Sequence, residues 1–138
     1  MKTIKVSADK TNAFVAQVEI GNKQLIIDES GLVEDKDTGP NPYDYILSAL
    51  GSCTVITLQM YAQRKNWPLE RAEVQLEEIK AETDNKEQTN DRRFKIRKKL
   101  KLIGDLNPEQ IKRLEEISSR CPVQRSLEAG MVIQTILE

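Results

Sequence analysis

The stretch YILSALGSCTVITLQMYAQ, residues 45–63, decides the fold. No charged residue lies between Asp44 and Arg64. Ile46, Leu47, Leu50, Cys53, Ile56, Thr57 and Met60 recur near helical spacing. Apolar residues also occupy the other faces, as in a helix buried nearly all round. The start is well punctuated. Asn41 fits the N-cap, Pro42 the first helical position, and Asp44 stands three after the cap, where a carboxylate meets free N–H groups and the positive end of the helix dipole. Ser48, Ser52, Thr54, Thr57, Gln59 and Gln63 are more polar groups than a membrane span carries, so the expected setting is a protein core. One small domain has trouble wrapping such a helix on every side. A partner subunit is therefore expected to cover part of it.

Upstream, the pattern switches to period 2. Ile4 and Val6 share one side; Phe14, Ala16, Val18 and Ile20 share another; Leu25 and Ile27 follow. Breaks at residues 9–12 and 21–23 predict a three-stranded meander, with Gly21-Asn22 as a tight hairpin turn. Residues 28–42 read as a polar, turn-rich connection. Downstream, residues 69–82 and 92–103 predict a hairpin joined by a long polar connection from Thr83 to Asp91. Ala72, Val74 and Leu76 face inward on one strand, and Phe94, Ile96, Leu100 and Leu102 on the other. Lys98 breaks that inward set. Glu73 and Glu77 face the basic outer side of the second strand, a modestly stabilising arrangement. A second helix starts at Asn107-Pro108-Glu109 and ends near Cys121, because Pro122 disfavours helix at the residue before it. Gly130 is a stop, and Met131 to Leu137 read as a last strand. The expected class is α+β, one domain over residues 1–138.

Composition narrows the chemistry. The chain has 138 residues, two cysteines and no histidine. No Ser-His-Asp triad, Cys-His pair or imidazole metal site can form. Two cysteines cannot supply a four-thiolate zinc site. The glycines are isolated, so no phosphate loop exists, and the acidic residues lack metal-loop spacing. Neither a cofactor nor a metal is expected. Lys and Arg total 21 against 22 Asp and Glu, a net charge of −1 with no global pull toward nucleic acid or membrane. The basic run from Arg92 to Lys101 alternates as one strand face opposite glutamates, so it reads as a solvated face rather than a nucleic-acid surface. The start lacks the apolar stretch of a signal peptide, and two distant cysteines do not resemble a secreted disulfide frame. The expected compartment is the cytoplasm.

The two thiols are what remains. Cys53 in the uncharged helix is either a small core hydrophobe or a thiolate served by a cation brought from elsewhere. Cys121 is either a turn residue beside solvated Arg120 and Arg125 or, if Pro122 opens a new short helix, that helix's cap, a favourable place for a thiolate.

Taken together, Gly39-Pro40-Asn41-Pro42, then Leu47-Ser48-Ala49-Leu50-Gly51-Ser52-Cys53-Thr54, then Cys121-Pro122-Val123 some 68 residues after Cys53, resemble the OsmC/Ohr family. The element order agrees along essentially the whole chain. The resemblance implies an intertwined homodimer with active sites at the subunit interface. It also implies a cysteine-based peroxidase acting on organic hydroperoxides in oxidative stress defence. On that model Cys53 attacks the peroxide and becomes a sulfenic acid. Cys121 resolves it as a disulfide, and an external dithiol, lipoyl-type in the family, resets the pair.

The sequence departs from the family pattern at three places. Peroxidase members carry Asn-Pro-Glu at the start of the long helix, where this chain has Tyr43 followed by Asp44. At about 100° and 1.5 Å per residue, Asp44 points about 180° away from Cys53 and lies about 13 Å along the axis, while Tyr43 is about 80° away. Asp44 therefore reads first as a cap, serving a thiol only across a dimer. The family's arginine in the first hairpin is missing; Lys10, in the predicted first turn, is the nearby cation offered in its place, without the planar fork of arginine. Gln124 stands where many branches have histidine. The supporting candidates are thus Tyr43, Asp44, Lys10 and Arg125. The competing reading is a non-catalytic or redox-sensing OsmC-like dimer that binds a small hydrophobic ligand.

Overall fold

The computed structural model describes residues 3–34, 38–79 and 93–138. The chain divides into two compact units, Met1–Ser48 and Ala49–Glu138.

In the first unit, strands β1 (Ile4–Ser7), β2 (Val15–Ile20) and β3 (Lys23–Asp28) form an antiparallel meander in chain order. Ile20 pairs with Lys23 across the two-residue turn Gly21-Asn22, where Gly21 takes a φ of +59°. That is the left-handed region a tight hairpin turn demands, and glycine enters it without steric cost. The β1–β2 connection is a single 3-10 turn capped by the Asp9 carboxylate, which accepts from the N–H groups of Thr11 and Asn12. A short helix α1 (Gly31–Glu34) lies in the stretch expected to be an irregular connection. Asn41 and Asp44 then form a reciprocal cap: the Asp44 N–H donates to Asn41 Oδ1 at 2.9 Å, and the Asn41 N–H to Asp44 Oδ2 at 2.9 Å. This arrangement satisfies two orphan donors at the start of the long helix α2 (Pro42–Lys65).

The second unit begins within α2. Strands β4 (Leu69–Glu78) and β5 (Ile96–Gly104) pair antiparallel, with Glu73 opposite Lys101 and Glu77 opposite Arg97. Glu77 accepts from Arg97 at 3.2 Å and pairs with Lys99 at 3.4 Å, so the outer faces carry the expected charge pairing. The Thr83–Asp91 connection lies outside the described residues. Helix α3 (Pro108–Ser118) opens with a full capping box between Asn107 and Gln110. Helix α4 (Pro122–Ala129) follows at once, with Cys121 as its N-cap and Gly130 closing it. Leu58 and Ala62 of α2, Leu69 of β4, and Leu114 and Ile117 of α3 form the core, flanked by Tyr61 and Trp67 in edge-to-face contact at 5.5 Å.

Gly51 sets how closely α2 approaches the hairpin. A Cβ at this position would lie 2.8 Å from Leu76 Cδ1 and 3.3 Å from Val74 Cγ1, both on β4. The missing side chain lets the helix backbone sit directly on the strand.

Two expectations require correction. Met131 to Leu137 form no strand: Val132 is 102% exposed and Leu137 96%, and the segment joins no ladder among the described residues. Its composition favours a strand, but a strand forms only by pairing with an edge, and this segment pairs with none among the described residues. Nor is α2 buried all round. Leu50, Gly51, Thr54, Leu58 and Ala62 are buried, while Ile56 and Met60 are 57% and 64% exposed. The hairpin and α3 cover one stripe of the helix. By length and composition alone α2 is also long and apolar enough to cross a membrane.

Candidate functional site

The site forms where α2, β5, α3 and α4 meet in the second unit, and its centre is Lys98. Alternation along β5 turns Lys98 to the inner face, opposite Leu76 of β4. Its Nζ donates to Thr54 Oγ1 at 3.0 Å, to the Ser118 carbonyl at 2.7 Å and to Gln124 Oε1 at 2.7 Å. An ammonium has three donors and no acceptor, so all three are used. Burial pushes the Lys98 ammonium below the ordinary lysine range, opposed by the negative forms of Cys121, Glu128 and Cys53, in that order.

Each acceptor is held in turn. Thr54, one turn beyond Gly51 on the buried stripe of α2, donates its hydroxyl to the Leu50 carbonyl at 2.9 Å. Ser118 is the last residue of α3, where helical carbonyls lack intrahelical partners, so its oxygen is free to accept from a cation. Gln124 sits in the first turn of α4, and its amide nitrogen donates to Glu128 Oε1 at 2.7 Å. The polar chain therefore runs Glu128, Gln124, Lys98, Thr54, and ends at the Cys121 sulfur, 3.6 Å from Thr54 Oγ1.

Cys121 is fully buried at the N-cap of α4, and no cap hydrogen bond occupies its side chain. Cys53 is half-buried on α2, next to Thr54. Both are free thiols, and both enter the electrostatic surroundings of the same ammonium. Arg125 is exposed on α4. Lys10, Tyr43 and Asp44 belong to the first unit: Lys10 is exposed in the 3-10 turn, Tyr43 is 53% exposed, and Asp44 is in the cap. Lys98 itself was missing from the sequence candidates. Its signal was legible, since it is the one residue that breaks an otherwise apolar inward set.

Beside this cluster lies a cavity of about 1150 Å³. Leu50, Leu100, Leu102 and Ile111 give it an apolar floor, and Lys98, Gln124 and Glu128 line one side. Among the described residues no group of three or more His, Cys, Asp or Glu is placed to hold a metal ion.

The fold and site define a class: a small α+β protein with one helix-borne thiol and one helix-capping thiol beside a half-buried lysine. Residues 34–136 match the family model described as OsmC-like protein, and the chain belongs to that family. It is similar in structure to an OsmC-like protein from Mycoplasma pneumoniae, with a TM-score of 0.70 at 16% identity, covering 93% of this chain and 87% of that one. An organic hydroperoxide resistance protein OsmC from Legionella pneumophila gives a TM-score of 0.63 at 18% identity, over 91% and 87% of the two chains. The organic hydroperoxide resistance protein OhrB of Bacillus subtilis gives 0.56 at 19%, over 91% and 88%. These likenesses establish the OsmC-like fold. No curated protein matches the chain in sequence.

Proposed function

We propose that this protein is a thiol-dependent peroxidase that reduces organic hydroperoxides in oxidative stress defence. The observation that carries the reading is that Thr54, the residue after Cys53, places its hydroxyl 3.6 Å from the Cys121 sulfur and 3.0 Å from the Lys98 ammonium, bringing together two thiols 68 positions apart. A peroxidase of this kind needs a thiolate to attack the peroxide O–O bond and a second thiol to resolve the sulfenic acid, with positive charge nearby. In the proposed cycle Cys53, the more accessible thiol, attacks; the alkoxide leaves as alcohol; and Cys121 closes a disulfide. A lipoyl-type dithiol in the cytoplasm then reduces the pair by exchange. The similar Legionella and Bacillus proteins are both named organic hydroperoxide resistance proteins, which supports the same direction. No metal or cofactor enters the scheme.

The acting form is proposed to be a homodimer. Support comes from apolar surface that one chain leaves uncovered: Ile56 and Met60 on α2, and Val132, Ile133, Ile136 and Leu137 in the C-terminal segment. A second copy would cover such surfaces. Tyr43, Asp44 and Lys10 are proposed to serve a thiol site only through that assembly. The close approach of Gly51 in α2 to β4, with Leu58 and Ala62 in the core, supports reading α2 as a core helix rather than a membrane span. The charge-paired outer face of β5 supports a protein without a nucleic-acid partner.

The cavity favours a second reading, a redox-sensing or non-catalytic dimer that binds a small hydrophobic ligand on the Leu50, Leu100, Leu102 and Ile111 floor. Mass spectrometry after one equivalent of an organic hydroperoxide separates the two. A Cys53–Cys121 disulfide and one equivalent of alcohol are expected of the peroxidase; two unmodified thiols would overturn it.

A further inference from the structure

Thr54 connects the cation to the buried thiol, and its proton count gives the connection a direction. A hydroxyl has one hydrogen and two lone pairs. In the structure that hydrogen points to the Leu50 carbonyl, one lone pair accepts from Lys98 Nζ, and the Cys121 sulfur sits 3.6 Å away. With the hydroxyl hydrogen committed to Leu50, the Cys121 thiol is the donor to Thr54. Once Cys121 loses its proton, the hydroxyl can turn from Leu50 to the sulfur while Lys98 keeps its own bond to Thr54. The lysine polarises the hydroxyl, and its charge faces the new thiolate across a fully buried Thr54, where charge interactions are stronger than in water. Lys98 is suited to this because its direct acceptors are all neutral. Among the described residues no carboxylate forms an ion pair with it, and Glu128 reaches it only through Gln124.

We infer that Lys98, acting through the Thr54 hydroxyl, is the positioning residue that holds Cys121 as a thiolate for resolution of the Cys53 sulfenic acid. The inference rests on the peroxidase reading for the step it serves. In that step the Cys121 thiolate attacks the Cys53 sulfur. The S–S bond forms as the S–O bond breaks, and the departing hydroxide takes up the proton that Cys121 released, giving water. Cys121 is oxidised and the sulfenic sulfur is reduced to the disulfide level. The titratable and charged groups around the cluster are Cys53 from α2, Lys98 from β5, Glu128 from α4, Glu115 from α3, and Arg93 and Lys95 just before β5. Of these, Lys98 alone bonds a group that touches the Cys121 sulfur.

The test has two arms. In the first, the wild-type chain and Lys98→Met are treated with tert-butyl hydroperoxide in the presence of dimedone. Disulfide formation is expected to slow roughly tenfold or more in the variant, with the Cys53 sulfenic adduct accumulating instead. Equal partition between disulfide and adduct in both chains would overturn the inference. In the second arm, Cys53→Ser and Cys53→Ser/Lys98→Met are titrated by the ultraviolet absorbance of the Cys121 thiolate, which needs neither peroxidase activity nor a reagent that enters the buried site. The pH profile of the Cys121 thiolate is expected to move to higher pH without the lysine and to return toward wild type with Lys98→Arg. An unmoved profile would overturn the inference. A moved profile with no peroxide reaction at either thiol would sustain the Lys98–Cys121 coupling and reject the peroxidase reading alone. If Lys98→Met fails to fold, Lys98→Gln, which keeps hydrogen-bonding groups without charge, takes its place in both arms.

Discussion

Lys98 Nζ lies 3.0 Å from Thr54 Oγ1, across 44 positions of chain, and this bond ties β5 to α2. Thr54 is fully buried and Lys98 is not, so the threonine presents a fixed acceptor to a lysine reaching in from the cavity side.

Replacing Thr54 with valine keeps the shape and removes the acceptor. One Lys98 donor and the Cys121 thiol then lose their partner in a closed site. Thr54→Val is expected to destabilise the chain by about 1–3 kcal/mol, the usual cost of stranding a buried polar group. Thr54→Ser is expected to stay close to wild type. Urea unfolding midpoints of the three chains check this; equal midpoints for valine and wild type would remove Thr54 from the network.

Gly51 is expected to tolerate alanine and reject valine. Alanine gains about 1 kcal/mol of helix propensity over glycine. Against that stands the 2.8 Å approach to Leu76 Cδ1, the tip of a side chain that can turn away, and the 3.3 Å approach to Val74. The two effects nearly cancel. Gly51→Val adds an isopropyl group where no room exists, and a loss of about 1–3 kcal/mol is expected from overpacking. Thermal unfolding of both variants is the measurement.

The two cysteines are expected to separate in their effects. Cys53→Ser should abolish turnover of an organic hydroperoxide with a dithiol reductant. Cys121→Ser should still consume the first equivalent but leave Cys53 as a sulfenic acid open to dimedone. Coupled turnover assays with mass spectrometry distinguish these outcomes. Full turnover in Cys53→Ser would rule out the proposed attacking thiol.

Glu77 links the hairpin to pH. Hydrogen bonds from Arg97 and then Lys99 hold its carboxyl below the ordinary value of 4.5. A lowered folded value means the ionised form is favoured in the native state. The contribution is therefore present above about pH 4.5 and lost as pH falls through the lower folded value. The stability difference between wild type and Glu77→Gln should shrink in that acid window, and also with added salt at neutral pH, because the pair is exposed. Chemical unfolding curves across pH and salt test both.

Local order was largely legible in the sequence. Period-2 alternation placed the meander and the hairpin. The Asn41-Pro42 and Asn107-Pro108 pairs marked two helix starts, because caps and prolines act through neighbouring backbone groups. Pro122 marked the break that makes Cys121 a cap. These features depend on contacts a few residues apart, which a sequence carries directly. The uncharged run of α2 and the apolar residues 131–137 predicted burial and a strand. A single chain leaves α2 without a second cover, and residues 131–137 pair with no strand among the described residues, so composition stated a demand that one chain leaves unmet.

The site was decided by tertiary structure. The sequence singled out Cys53 and Cys121 and recorded that Lys98 breaks an apolar face, but it sought the missing cation near Lys10. Which cation meets the thiols depends on how closely α2 sits on β4, on the β4–β5 register that turns Lys98 inward, and on α3 ending at Ser118 so that α4 brings Gln124 to the lysine. A lysine reaches its partners only through packing between elements distant in sequence. Spacing along the chain does not encode those distances, and the fold supplies them.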